Sequence, residues 1–194
     1  MDNNDAVMKK PGKREKLENP ARLAELAPAA TLARLGLLDG QTVCDIGAGS
    51  GIFSLAAAGI TGGTVWAADT DGDILSELKS RAMAGGFYNL RTLPVAGCAY
   101  PIPSESADWA LLVTTLHEIA EKDLLFCELR RILRRDGRVC LIEFHKAPTP
   151  MGPPPEHRLG AAEAEAYFTA AGFVKADEFS LGENMYCQTY AQKG

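Results

Sequence analysis

The chain has 194 residues, 46% hydrophobic and 23% charged, with a formal net charge of −5. That length and balance predict one globular domain with a sizeable core, and the acidic sign argues against a nucleic-acid partner, which would draw on clustered Lys and Arg. No apolar run approaches the roughly 20 residues that span a bilayer, the first twenty residues are too polar for a signal peptide, and five scattered cysteines without zinc spacing point to buried free thiols in a cytoplasmic protein.

Residues 1–18 are polar and carry Lys9, Lys10, Lys13, Arg14 and Lys16. Too few apolar groups are present to offset ordering entropy, so a flexible arm is expected there, ahead of a single domain over 19–194. From Pro20 the pattern is helical through Leu23, Leu26, Ala30, Leu32, Leu35 and Leu37, with Pro28 splitting the run. After an Asp39-Gly40 turn, the strand Val43-Cys44-Asp45-Ile46 runs into Gly47-Ala48-Gly49-Ser50-Gly51 and then into a helical stretch from Ile52 to Ala58. A strand, a glycine turn and a helix in that order build a ligand-binding corner of an α/β sheet. Glycine allows positive φ and close approach of a ligand to the backbone. The spacing is not the G-x-G-x-x-G of dinucleotide sites, because Ile52 and Phe53 follow Gly51. An acid two residues before the first glycine suits a positively charged ligand better than a pyrophosphate.

Thr64 to Asp69 reads as the second strand, and Asp69 stands where an acid accepts hydrogen bonds from ribose hydroxyls. Asp71-Gly72-Asp73 caps a helix with apolar positions Ile74, Leu75, Leu78 and Ala82, stopped by Gly85-Gly86. Leu90 to Val95 is the third strand, and Asp108 to Thr114 is a nearly continuous apolar fourth strand, buried on both faces. His117, just past its carboxyl end, is the candidate acid/base or orienting group because imidazole titrates near neutral pH; a plain hydrogen-bonded loop histidine is the alternative. Leu125, Leu129, Ile132 and Leu133 mark an amphipathic helix closed by Asp136-Gly137, with Arg130, Arg131, Arg134 and Arg135 in its last turns. Arg138 to Phe144 is the fifth strand. The proline-rich loop from Lys146 to Leu159 is bracketed by Glu143, His145, His157 and Arg158, and Arg158 is a candidate for a substrate carboxylate or phosphate. A helix from Ala161 to Ala171 precedes two strands, Phe173 to Leu181 and Met185 to Gln192, that form an antiparallel hairpin.

The D-x-G-x-G-x-G stretch from Asp45 to Gly51 resembles motif I of the class I S-adenosylmethionine-dependent methyltransferases. Leu116-His117-Glu118, the segment Glu128 to Arg138, and Gly152-Pro153-Pro154 with Arg158-Leu159 resemble the subgroup containing the ubiquinone and menaquinone C-methyltransferases. The resemblance runs along roughly residues 20 to 192. It implies a Rossmann-like, doubly wound, seven-stranded, mostly parallel sheet with an antiparallel C-terminal hairpin. It implies S-adenosyl-L-methionine as cofactor, with Asp45, Gly47, Gly49 and Gly51 at its methionine end and Asp69 with Thr70 at the ribose. Ile74, Gly97, Cys98 and Thr114 complete the expected cofactor set, and His117, Glu143 and Arg158 are the expected substrate set. One departure stands out: Ala96 occupies the position where the family commonly has an Asp that reaches the adenine, so backbone and apolar groups around Gly97 and Cys98 are expected to hold it.

The implied reaction is an in-line methyl transfer to a small organic acceptor, with a general base needed only if the nucleophile must lose a proton. The fourth strand lacks the Asn/Asp-Pro-Pro-Tyr of adenine and glutamine N-methyltransferases, and no Pro-Cys pair suggests covalent cytosine chemistry. No metal site is expected. The alternatives are a non-catalytic cofactor-binding module and an NAD-dependent oxidoreductase, the latter opposed by the spacing after Gly49.

Overall fold

Seven strands join in one sheet in the order β3-β2-β1-β4-β5-β7-β6 in a computed structural model that describes residues 12–193. They are β1 Val43–Ile46, β2 Val65–Asp69, β3 Leu90–Pro94, β4 Ala107–Val113, β5 Leu133–Phe144, β6 Phe173–Leu181 and β7 Met185–Gln192. The pairs among β3, β2, β1, β4 and β5 are all parallel, while β7 pairs antiparallel with β5 and with β6. The first three strands step outward in one direction, and the chain then returns to place β4 on the other side of β1. That reversal opens a crevice at the strands' carboxyl ends, where open α/β sheets bind ligands.

The helices are α1 Lys13–Leu17, α2 Pro20–Leu26, α3 Pro28–Leu35, α4 Ile52–Ile60, α5 Gly72–Ala84, α6 Lys122–Ile132 and α7 Ala161–Ala170. One core layer gathers Leu26, Leu32, Phe53 and Ala57 from α2, α3 and α4 against Val43, Leu111 and Ile142 of the sheet. The opposite layer gathers Phe126, Leu129 and Phe168 from α6 and α7 against Leu112, Leu141 and Tyr190. Every residue of β1 is buried, as its central position requires. Asp71 caps α5 as expected, its carboxylate accepting from the Asp73 and Ile74 amides.

Three local expectations are corrected. The helical pattern predicts α6 running to Asp136, but it ends at Ile132 and Leu133 already belongs to β5. Leu133 is 1% exposed and pairs with Ala107, while Arg138 pairs with Trp109. Core burial of Leu133 therefore wins, and Arg134 to Gly137 are accommodated by a register shift in the ladder. Within the expected N-terminal arm, residues 13–17 form α1, held by ion pairs from Arg14 to Glu77 and from Arg81 to Glu18; residues 1–11 lie outside the described residues. Four of the five cysteines are buried, but Cys127 on α6 is exposed. Among the described residues no helix is long and apolar enough to cross a membrane.

The hairpin is clamped to α7 by aromatic packing. Phe168 is fully buried, stacks on Tyr190 with centroids 3.8 Å apart, and meets Phe126 edge-on at 4.9 Å. Phe168→Ala is expected to lower stability by about 3–5 kcal/mol in urea unfolding, with Phe168→Leu losing less because it leaves a smaller cavity.

Candidate active site

The carboxyl ends of β1, β2 and β4 and the loops that follow them enclose a cavity of about 520 Å³. Asp45 of β1 forms part of its wall and is 2% exposed. The Ser54 hydroxyl of α4 donates to Asp45 Oδ2 at 2.5 Å. Burial pushes the Asp45 carboxyl up to about 6, the Ser54 bond opposes that rise, and the charge of Asp69 adds to it. Past Asp45 the amides of Gly47 and Ala48 both donate to the Ala68 carbonyl, at 2.8 and 2.9 Å. The Gly49 amide donates to Asp69 Oδ2 at 2.8 Å, and the Asp71 amide donates to Asp69 Oδ1 at 2.9 Å. A carboxylate has about four acceptor positions, so roughly half of those on Asp69 remain for a ligand. Ser50 lines the same cavity, and its buried hydroxyl has no hydrogen-bond partner among the described residues.

Asp45, Gly47, Gly49, Asp69, Thr70, Gly97, Cys98 and Thr114 are brought together around this cavity, whereas Gly51 and Ile74 are not among its walls. Gly51 precedes α4 with φ 78°, and a Cβ there would lie 2.2 Å from Leu78 Cδ1. Its lack of a side chain serves the packing of α5 against the loop. Ile74 is buried in the first turn of α5.

The cavity also contains residues that the sequence patterns did not single out, Leu17 and Arg22 from the N-terminal helices and Glu121 beyond β4, together with Glu118 of the Leu116-His117-Glu118 segment. Arg22 donates to the Leu17 carbonyl at 2.6 Å and to the Thr114 hydroxyl at 2.9 Å. Thr114, expected as the last residue of the fourth strand, instead leaves β4 with φ 50°. Glu121 Oε2 lies 4.0 Å from where a Cβ on Gly97 would sit, which puts an acid on the side where Ala96 supplies none.

His117 lies in a short 3-10 turn, Leu116–Glu118, and lines a second cleft of about 510 Å³ with Lys122, His157, Glu163 and Tyr167. Glu118 borders both spaces. His117 Nδ1 is 2.8 Å from Glu143 Oε2, and the His117 amide donates to Glu143 Oε1 at 3.2 Å. Glu143 is 1% exposed. Its hydrogen bond holds the His117 pKa above the ordinary 6.5, against the opposing effect of burial. Two of the expected substrate residues therefore take other places. Glu143 is buried behind His117 and does not line the cleft. Arg158 borders the cleft, but its guanidinium donates to the carbonyls of Pro153, His145, Ala147 and Met151 and to the Thr149 hydroxyl. With its donors so engaged, it ties down the proline-rich loop.

Residues 44–141 match the methyltransferase domain family. The chain belongs to that family, in its class I S-adenosylmethionine-dependent branch. The ubiquinone/menaquinone biosynthesis C-methyltransferase UbiE of Bordetella avium is 30% identical over 138 residues, covering 69% of this chain and 52% of that protein. The chain thus spans about half the length of the curated relatives it matches. The crystal structure of an S-adenosylmethionine-dependent methyltransferase from Aquifex aeolicus superposes with a TM-score of 0.86 at 25% identity, covering 91% of this chain and 95% of that one. The fold is also that of the Burkholderia thailandensis 1,6-didemethyltoxoflavin-N1-methyltransferase, with TM-score 0.73, 20% identity, and coverage of 93% and 82%.

Two outcomes test the geometry. The folded chain holds a proton on Asp45 more tightly than the unfolded chain, whose carboxyl titrates near 3.8. Stability contributed by that proton is present below about pH 4 and is lost as pH rises to about 6, on the order of 2–3 kcal/mol. Urea unfolding across this range is expected to show the fall in wild type and to lack it in Asp45→Asn. Gly51→Ala is expected to cost about 1–3 kcal/mol, from strain at positive φ and from the Leu78 clash, read as a lower unfolding midpoint.

Proposed function

We propose that the protein transfers a methyl group from S-adenosylmethionine to a small organic acceptor whose nucleophilic atom loses a proton in the process. The observation that carries this reading is the His117–Glu143 pair, set in a cleft that shares Glu118 with the main cavity. The cavity volume suits a cofactor of this size. The Ser50 hydroxyl, without a partner among the described residues, and the unused acceptor positions of Asp69 suit a ligand rich in hydroxyl and amine groups. Asp45 and the Gly47–Gly49 backbone would hold the methionine end, Asp69 and Thr70 the ribose, and the wall at Gly97 and Cys98 the adenine. When bound, the cofactor supplies an activated methyl carbon and a neutral leaving group.

The chain's own residues supply position and a proton acceptor. Glu143 keeps the imidazole proton on Nδ1, which leaves Nε2, 3.8 Å from Glu118 Oε1, as the nitrogen that takes a proton from the acceptor. The same carboxylate then stabilises the imidazolium. A carbon acceptor, of the kind named for the C-methyltransferase relatives, sheds a proton after methylation and has use for such a base. This pair also favours an enzyme over a binding module, which needs no base. A small acceptor is favoured over nucleic acid by the net charge of −5 and by the engagement of Arg131 and Arg158 inside the fold. We assign the reaction to the cytoplasm, where the buried thiols remain reduced.

Conversion of S-adenosylmethionine to S-adenosylhomocysteine, measured across a panel of acceptors, tests the reading. His117→Ala is expected to lower kcat by about 100- to 10,000-fold with little change in cofactor affinity. The wild-type rate is expected to rise with pH through an inflection above 6.5, because the base must be neutral and Glu143 raises its pKa. Glu143→Gln keeps an acceptor for Nδ1 but removes the negative charge, and is expected to move the inflection to lower pH while slowing turnover. Wild-type turnover in His117→Ala would eliminate the general base.

A further inference from the structure

We propose that Arg22 anchors a ligand carboxylate inside the main cavity. Arg22 is 9% exposed and is the one basic side chain among the described residues that line this space, facing a wall that also holds Asp45, Asp69, Glu118 and Glu121. Its two hydrogen-bond acceptors, the Leu17 carbonyl and the Thr114 hydroxyl, are both neutral. Among the described residues no carboxylate forms an ion pair with it, and burial alone, unopposed by any acid, lowers its pKa. A guanidinium presents five N–H donors, so most remain available. A charge held out of water without a counter-ion is costly, and an anion entering the cavity would supply one.

Thr114 is a second, independent pointer. A β-branched residue with positive φ is a conformational outlier, and such strain concentrates at ligand sites. Here the turn is secured by the Thr114 amide, which donates to the Ile142 carbonyl at 2.7 Å, and the hydroxyl it presents holds Arg22. The planar fork of arginine suits bidentate carboxylate binding. Two sources offer that chemistry. One is the amino-acid end of the cofactor, which pairs an ammonium with a carboxylate as Asp45 and Arg22 pair opposite charges; this source rests on the cofactor reading above. The other is an acceptor that itself carries a carboxylate.

Calorimetry on the full chain, using Arg22→Met and Arg22→Lys, separates them. The probes are S-adenosylhomocysteine and 5′-methylthioadenosine, which share adenosine and thioether but differ in the amino-acid end. If the cofactor is the source, Arg22→Met weakens S-adenosylhomocysteine about 10- to 100-fold, leaves methylthioadenosine unchanged, and Arg22→Lys recovers part of the loss. If the acceptor is the source, both adenosyl ligands are unaffected. Wild type saturated with S-adenosylhomocysteine then binds benzoate in preference to benzamide, and Arg22→Met does not. In either case the ligand-free Arg22→Met protein unfolds at a temperature no lower than wild type, since an uncompensated charge has been removed. Equal weakening of both adenosyl ligands, or no loss with any carboxylate probe, overturns the proposal. Failure of wild type to bind S-adenosylhomocysteine would instead overturn the cofactor reading.

Discussion

The amide of Gly49 donates to the Asp69 carboxylate, and this one bond joins the loop leaving β1 to the end of β2. The bonds from Gly47 and Ala48 to the Ala68 carbonyl reinforce the same seam. With its amides turned toward β2, the glycine loop cannot drift across the crevice that the reversed strand order opens. The carboxylate is fixed in turn, because its second oxygen holds the Asp71 amide at the cap of α5. A sheet edge, a loop and a helix start are thereby set around one side chain whose unused acceptor positions border the cavity.

The second compartment depends on the parallel register of β4 and β5. Val113 lies opposite Ile142, so the residue after Ile142 falls beside the turn that follows β4. Glu143 accordingly receives both the amide and the imidazole of His117. A buried carboxylate without such donors would be protonated or expelled. Two donors from one residue keep it in place and make the position of the imidazole a property of the sheet, not of a loose loop. The acids of the main cavity and the base of the cleft are thus kept apart, with Glu118 on the border.

Much of the fold is legible in local signals: the Asp71 cap, the split at Pro28 and both strands of the terminal hairpin follow from residue type and period. What escapes is decided by partners distant in sequence. The end of α6 depends on Leu133 finding Ala107, and the place of Glu143 depends on a residue 26 positions away. Arg158 is instructive because a signal was present. The segment from Pro148 to Pro155 has five prolines, which remove amide donors and leave carbonyls to be satisfied. An arginine with five donors just after such a run is suited to that task before any substrate. Arg22 carries no comparable mark, since a single basic residue in an amphipathic helix ordinarily reads as solvated.

The energetics of the main cavity follow from two charges held inside it without full compensation. Asp45 has its carboxyl pushed up to about 6, a penalty on its ionised form on the order of 2–3 kcal/mol. Arg22 is buried against neutral acceptors. Each charge lowers the stability of the ligand-free protein, and neither relieves the other, for among the described residues no acid opposes the burial of Arg22 and no base that of Asp45. A ligand bearing a cation and an anion at the right separation removes both penalties on binding. Affinity is then drawn from charges already desolvated and oriented, not from groups that must be stripped of water at the moment of contact. The same arrangement makes the folded state more stable when the ligand is bound. It also discriminates against a neutral adenosine, which would fill the same walls and leave both charges unanswered.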